Sequence, residues 1–131
     1  VIGLDTNVLV RYVLQDDARQ SPRASRLIES LSVDEPGFVP MVTLVELAWV
    51  LGAGYKLPRP QLAAVLETLL RSKELVIDRA DLVMQALARF SSGSADFADA
   101  LIERTAAAAG CTTTMTFDQG AAKAAGMTLV P

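Results

Sequence analysis

What most constrains this chain is an alternation. Short apolar runs, VIGLD at 1 to 5, GFVP at 37 to 40, ELVID at 74 to 78, CTTTMTFD at 111 to 118 and MTLVP at 127 to 131, are separated by segments of helical periodicity. Strands kept apart by so many residues cannot pair as hairpins. They pair in parallel through crossover helices, which predicts an α/β fold, a three-layer α/β/α arrangement with a central parallel sheet. VIGLD carries the pattern of a buried parallel strand that empties into a loop.

The helical segments are TNVLVRYVLQ, SPRASRLIESL, MVTLVELAWVLGAGY, a stretch from Arg59-Pro60, residues 81 to 90, ADFADALIERTAAAAG and a short turn through AAKAA. In the second, Ser21 is the expected N-cap and Pro22 the first helical residue, with Ala24, Leu27, Ile28 and Leu31 on one face. In the third, Gly52 and Gly54 close the helix. Leu62, Leu66, Leu69 and Leu70 point the fourth inward, the SSGS run reads as a loop, and Gly110 caps the alanine-rich helix. No repeat, linker or low-complexity segment interrupts the 131 residues, so a single domain over residues 1 to 131 is expected.

Arg, Lys, Asp or Glu breaks every apolar run before a membrane span is reached, and no leader is visible. The expected compartment is the cytoplasm, with no membrane partner. The lone Cys111 agrees with a reducing compartment and is expected to be a small buried hydrophobe. The chain has no histidine. This excludes Ser-His-Asp and Cys-His nucleophiles and imidazole-dependent zinc sites. A net charge of −3 argues against a broad nucleic-acid-coating surface, although nine of the twelve cationic residues are arginine, the side chain suited to phosphate.

The acids are the remaining chemistry. Ligands of open parallel sheets bind beyond the carboxyl ends of the strands, and Asp5 and Asp118 each end a strand there. An N-cap role explains both equally well. Glu46 lies in VTLVELAWVL, where only Thr43 is also polar, so partial burial and a partner are expected; either a capping box with Thr43 or a ligand role would supply one. Asp96 suits the N-cap of the alanine-rich helix. Asp99 lies one turn deeper, where capping explains it less well. Glu103 continues that face as a solvated or arginine-paired residue. Carboxylates converging on one rim repel by about 4 kcal/mol per close pair at an effective dielectric of 20. A divalent ion removes that cost, and all-oxygen donors suit Mg²⁺ or Mn²⁺.

LDTNVLVRY at 4 to 12, VELAWVL at 45 to 51, DFADALI at 96 to 102 and TFD at 116 to 118 stand in the order and spacing of PIN-domain ribonucleases. The chain resembles in particular the VapC-type toxins of toxin–antitoxin pairs. That resemblance implies a PIN-like sheet of order 3-2-1-4-5 and an acidic quartet of Asp5, Glu46, Asp99 and Asp118, with Asp96 as an additional metal-binding acid. It also implies that Thr6, Asn7 and Thr116 orient ligands. Arg11, one turn after Asn7, either holds the RNA backbone or is an ordinary helix arginine in a salt bridge. The implied function is Mg²⁺- or Mn²⁺-dependent hydrolysis of RNA by an activated water, leaving 5′-phosphate and 3′-hydroxyl ends. The implied partners are RNA, a cognate antitoxin and a second copy in a homodimer. The alternative is a non-catalytic, divalent-metal-dependent binding or phosphoacceptor module. DTN lacks the adjacent acids such a receiver carries after its first strand.

Overall fold

The computed structural model describes residues 1 to 131, and the chain divides into two compact units, Val1–Ala80 and Asp81–Pro131.

The first unit runs β1 (Ile2–Gly3), α1 (Thr6–Leu14), α2 (Gln20–Glu29), β2 (Gly37–Val39), α3 (Met41–Trp49), α4 (Arg59–Arg71) and β3 (Leu75–Ile77). Its three strands form a parallel ladder with β2 in the middle, Ile2 opposite Gly37 and Gly37 opposite Leu75. Side chains alternate across a strand, so Leu75 and Ile77 are buried while Val76 between them is exposed. Leu9, Val39, Leu44, Leu47, Leu51 and Leu66 are almost fully enclosed. At about 1.5–3 kcal/mol for each large apolar side chain, their burial holds the unit together. Gly37 lies in a close approach: a Cβ there would stand 2.8 Å from Leu4 and 2.9 Å from Leu31 side-chain methyls, which would have to shift to admit it.

The second unit contains α5 (Ala80–Ser92, entered at the boundary), α6 (Phe97–Ala108), β4 (Met115–Thr116), α7 (Gln119–Ala124) and β5 (Thr128–Leu129). Its core places Phe90 of α5 edge-on to Phe97 of α6, ring centres 6.3 Å apart, beside Val83, Ala86 and Ala100. Gly110, at φ +94°, ends α6 in the left-handed conformation. The Cys111 amide then reaches the Ala106 carbonyl at 3.0 Å and the Gly110 amide the Ala107 carbonyl at 3.0 Å, a Schellman closure. β4 and β5 pair in parallel.

The α/β class, with parallel strands and flanking helices, is as the alternation predicts. Several local expectations are corrected. The strand pairing runs in two ladders, β1-β2-β3 and β4-β5, which hold the neighbours 3-2-1 and 4-5 of the expected order without a β1–β4 pairing to join them. VIGLD is not a buried strand: β1 is an edge of its ladder and Ile2 is 45% exposed. CTTTMTFD pairs only through Met115 and Thr116. Ser21 lies inside α2 and its hydroxyl donates to the Arg11 carbonyl at 2.9 Å. Asp17 takes over the capping, accepting from the amides of Arg19 (2.9 Å) and Gln20 (2.7 Å), and these bonds hold its carboxyl below the usual aspartate value. The first half of SSGS is absorbed into α5. Cys111, expected inside, is exposed, because the Schellman turn carries it past the end of α6. No helix is long and apolar enough to cross a membrane.

Candidate active site

Asp5 stands where β1 passes into α1. It is the N-cap, one carboxylate oxygen accepting the Thr6 amide at 2.7 Å. That bond occupies one oxygen of a group with two, so capping leaves the other free to face a ligand. Thr6, the first helical residue, is buried and donates its hydroxyl to the Glu46 carboxylate. The capping box is therefore not formed: α3 starts after Pro40 with no side-chain cap, Thr43 turns instead to the Leu4 carbonyl at 3.4 Å, and Glu46 is held from α1.

Glu46 is also exposed, contrary to the burial expected from its apolar neighbours. The reason lies in the helical period. Positions 42, 46 and 49 share one side of α3, and Val42 and Trp49 are themselves 72% and 69% exposed. Leu44, Leu47 and Ala48 are the buried side.

α3 does not end simply at its glycines. Val50–Gly54 form a π turn, closed by the Tyr55 amide on the Val50 carbonyl at 3.0 Å. Such turns are frequent at functional sites. This one helps to shape a cleft of about 370 Å³ whose lining includes Asp5, Asn7, Arg11, Glu46, Val50 and Tyr55. Tyr55 was not anticipated: the Gly52 and Gly54 signal marks a helix end, and no sequence pattern distinguishes a π turn from a plain stop. Asn7 is exposed at the rim. Arg11 lines the cleft and takes the salt-bridge reading, paired with Asp16 at 3.1 Å and with Gln20 at 3.0 Å. The Tyr55 hydroxyl first, and Asp16 after it, raise the Arg11 guanidinium further above its ordinary value.

The second unit carries the other acids. Asp96 is the N-cap of α6 and accepts the Asp99 amide at 3.1 Å. Asp118 is the N-cap of α7, accepting the Gly120 amide at 2.8 Å, while its own amide donates to Thr116 Oγ1 at 3.0 Å. Thr116 thus orients Asp118. Asp99, in the first turn of α6, caps nothing. Partial burial raises its carboxyl above the ordinary aspartate value, and the charges of Asp96 and Asp118 raise it further. A negative group in such surroundings favours either a proton or a cation.

The structure thus brings Thr6 to Glu46 in one unit, and in the other puts Asp96 and Asp118 within electrostatic reach of Asp99. No three acids are drawn into a ligating cluster. The donor chemistry nevertheless fits a hard divalent ion, with oxygen donors throughout and like charges at Asp99 that a cation would relieve.

Against known families, the profile of the PIN domain matches residues 2–127, nearly the whole chain. No curated protein matches it significantly.

Proposed function

The chain belongs to the PIN-domain family, and from that premise we propose that it is a Mg²⁺- or Mn²⁺-dependent endoribonuclease, the VapC-type toxin of a toxin–antitoxin pair. The match over residues 2–127 carries the reading, since PIN domains are generally metal-dependent nucleases. The finer assignment is supported by the motifs LDTNVLVRY, VELAWVL, DFADALI and TFD.

The proposed ligands are Asp5, Glu46, Asp99 and Asp118, with Asp96 as an additional acid. When bound, a divalent ion supplies a water of lowered pKa and neutralises charge on the phosphate. The protein's own groups prepare for this. Thr6 holds the Glu46 carboxylate in one orientation, and Thr116 positions the backbone of Asp118. Asp99 keeps a carboxylate unsatisfied by any cation of the chain. Asn7 and Arg11, at the rim of the Asp5 cleft, supply an amide and a guanidinium for the phosphates of the strand. In this reading the protein acts in the cytoplasm as a homodimer, and its antitoxin blocks the acidic site.

Incubating labelled RNA with the protein in Mg²⁺, Mn²⁺ or EDTA tests the activity. Cleavage should require the metal, and Asp99→Asn should lower it at least about a hundredfold with the fold intact, as expected for lost metal affinity. Undiminished cleavage by that variant would remove Asp99 from the mechanism, and cleavage in EDTA would remove the metal. Expression should arrest growth if the chain is a toxin; normal growth beside demonstrated RNA cleavage would leave the nuclease and discard the toxin role.

A further inference from the structure

We propose that the outer face of α2 is a track for the phosphates of single-stranded RNA, formed by Arg19, Arg23 and Arg26 and leading into the Asp5 cleft. The proposal rests on the ribonuclease reading and adds the surface by which that site would hold its substrate.

Three observations carry it. The first is placement: Arg19, in helical backbone immediately before α2, and Arg23 and Arg26 on α2 recur at i, i+4 and i+7, so the three arginines form one row. At 1.5 Å per residue the row is about 10 Å long, long enough to meet successive phosphates of one strand. The second is charge. All three side chains belong to exposed residues and none takes part in an ion pair. The nearby acids of the same segment are otherwise engaged: Asp16 is paired with Arg11, and Asp17 caps α2. Only Glu29, one turn beyond Arg26, adds a free negative charge at the far end. Three unpaired guanidinium groups in a row are conspicuous in a chain whose net charge is −3.

The third observation is continuity. Arg23 lies at the edge of the row and also lines a second cleft of about 370 Å³ between α1 and α2, together with Asn7, Arg11 and Gln20. Asn7 and Arg11 line the Asp5–Glu46 cleft as well. Arg23 therefore links the row, by way of Asn7 and Arg11, to the cleft lined by Asp5 and Glu46. A strand held on it by its phosphates enters the Asp5 cleft past Asn7. Guanidinium groups suit this task because they grip phosphate oxygens with two parallel N–H bonds. Contacts of this kind position a strand without reading its sequence.

The test measures binding without turnover. Fluorescence anisotropy of a labelled single-stranded RNA is followed in EDTA over a range of salt, with the wild type, the triple variant Arg19→Gln/Arg23→Gln/Arg26→Gln and the triple Arg→Lys variant, all checked for unchanged circular dichroism. For three lost contacts at about 0.7 each, the log–log salt slope of the Gln variant should fall by about 2 and its affinity at low salt by tenfold or more. The Lys variant should recover the slope, because it restores charge. Wild-type affinity and slope in the Gln variant would overturn the track even if RNA is cleaved. Conversely, an arginine-dependent slope in a protein that cleaves nothing would leave the track standing and sink the ribonuclease reading alone.

Discussion

Asp99 and Glu103 lie one turn apart on α6, and their surroundings differ in sign. At Glu103, only 8% exposed, burial opposes the charge, but hydrogen bonds and charge from Arg104 and Arg89 outweigh it and hold the carboxyl below the ordinary glutamate value. Arg89 reaches it from α5 at 2.7 Å and bonds the Ala125 carbonyl at 2.9 Å as well, so this acid ties α5, α6 and the end of α7 together. At Asp99 no cation answers. Burial and the charges of Asp96 and Asp118 all push the same way. Glu103, an acid that serves the fold, has its counter-ions within the chain, whereas under the proposed function the place beside Asp99 is left to a ligand.

The sharpest way to break this contrast is to neutralise each acid in turn. Asp99→Asn should cost RNA cleavage at least about a hundredfold, whereas Glu103→Gln should leave the rate per folded molecule within about twofold. Equal losses in the two variants would mean that the distinction drawn from their surroundings is empty.

Stability should follow the opposite order. Glu103→Gln leaves two arginines without their acid, and since both are about one-third exposed the cost should be near 2 kcal/mol, below that of a fully buried pair. In thermal melts this is a fall of about 8 °C. Because the folded carboxyl titrates below its ordinary value of 4.5, its contribution is present above that pH and is lost as pH falls through the folded value. The gap between wild type and variant should therefore close in acid; a gap constant down to pH 3 would indicate lost packing instead of lost charge.

Glu46 is an intermediate case, an exposed acid held by a neutral donor. Thr6→Val keeps the shape and removes the hydroxyl, at an expected cost of about 1 kcal/mol. RNA cleavage should fall about tenfold if orientation of Glu46 matters, at the lower end of supporting-residue effects, and Thr6→Ser should restore most of it. Activity unchanged in the Val variant would leave the Thr6–Glu46 bond a purely structural tie.

The smallest effect concerns Asp99 again. Its raised carboxyl favours the folded state below the ordinary aspartate value of 3.8, and that advantage is lost as pH rises through the folded value. At neutral pH without metal, Asp99→Asn should thus melt about 2 °C above wild type, from a few tenths of a kcal/mol of relieved repulsion. Added Mg²⁺ or Mn²⁺ should raise the wild type more than the variant. A melting gain for the wild type with zinc alone would overturn the argument from oxygen donors.

Much of this was legible before any coordinates. The strand–helix alternation is a property of hydrophobic periodicity, and it predicts the parallel α/β class. Asp5 and Asp118 follow short apolar runs, Asp96 follows a Ser/Gly segment, and all three precede helices, so their capping roles are local and readable. Asp99 was set apart by its position one turn deeper, and it is indeed the acid that caps nothing. Helix starts were less secure: Ser21 lost the cap to Asp17, which accepts the Arg19 and Gln20 amides one turn earlier and leaves the Ser21 hydroxyl to the Arg11 carbonyl.

What the linear pattern could not contain is whatever depends on residues far apart in the chain. Thr6 and Glu46 are 40 positions apart, and their hydrogen bond dissolves a capping box that reads well locally. The exposure of Glu46 among valines and tryptophan depends on which side of α3 the core occupies, and an almost wholly apolar helix does not say. Tyr55 reaches Arg11 only through a π turn. The row of arginines on α2 is in the sequence at its helical spacing, but its approach to the Asp5 cleft follows from how α1 lies beside α2. Local pattern was enough for the α/β class, the positions of the acids along the chain and the exclusion of histidine chemistry. Tertiary structure decided which acids receive a partner, because pairing depends on distances through space, and only packing sets those.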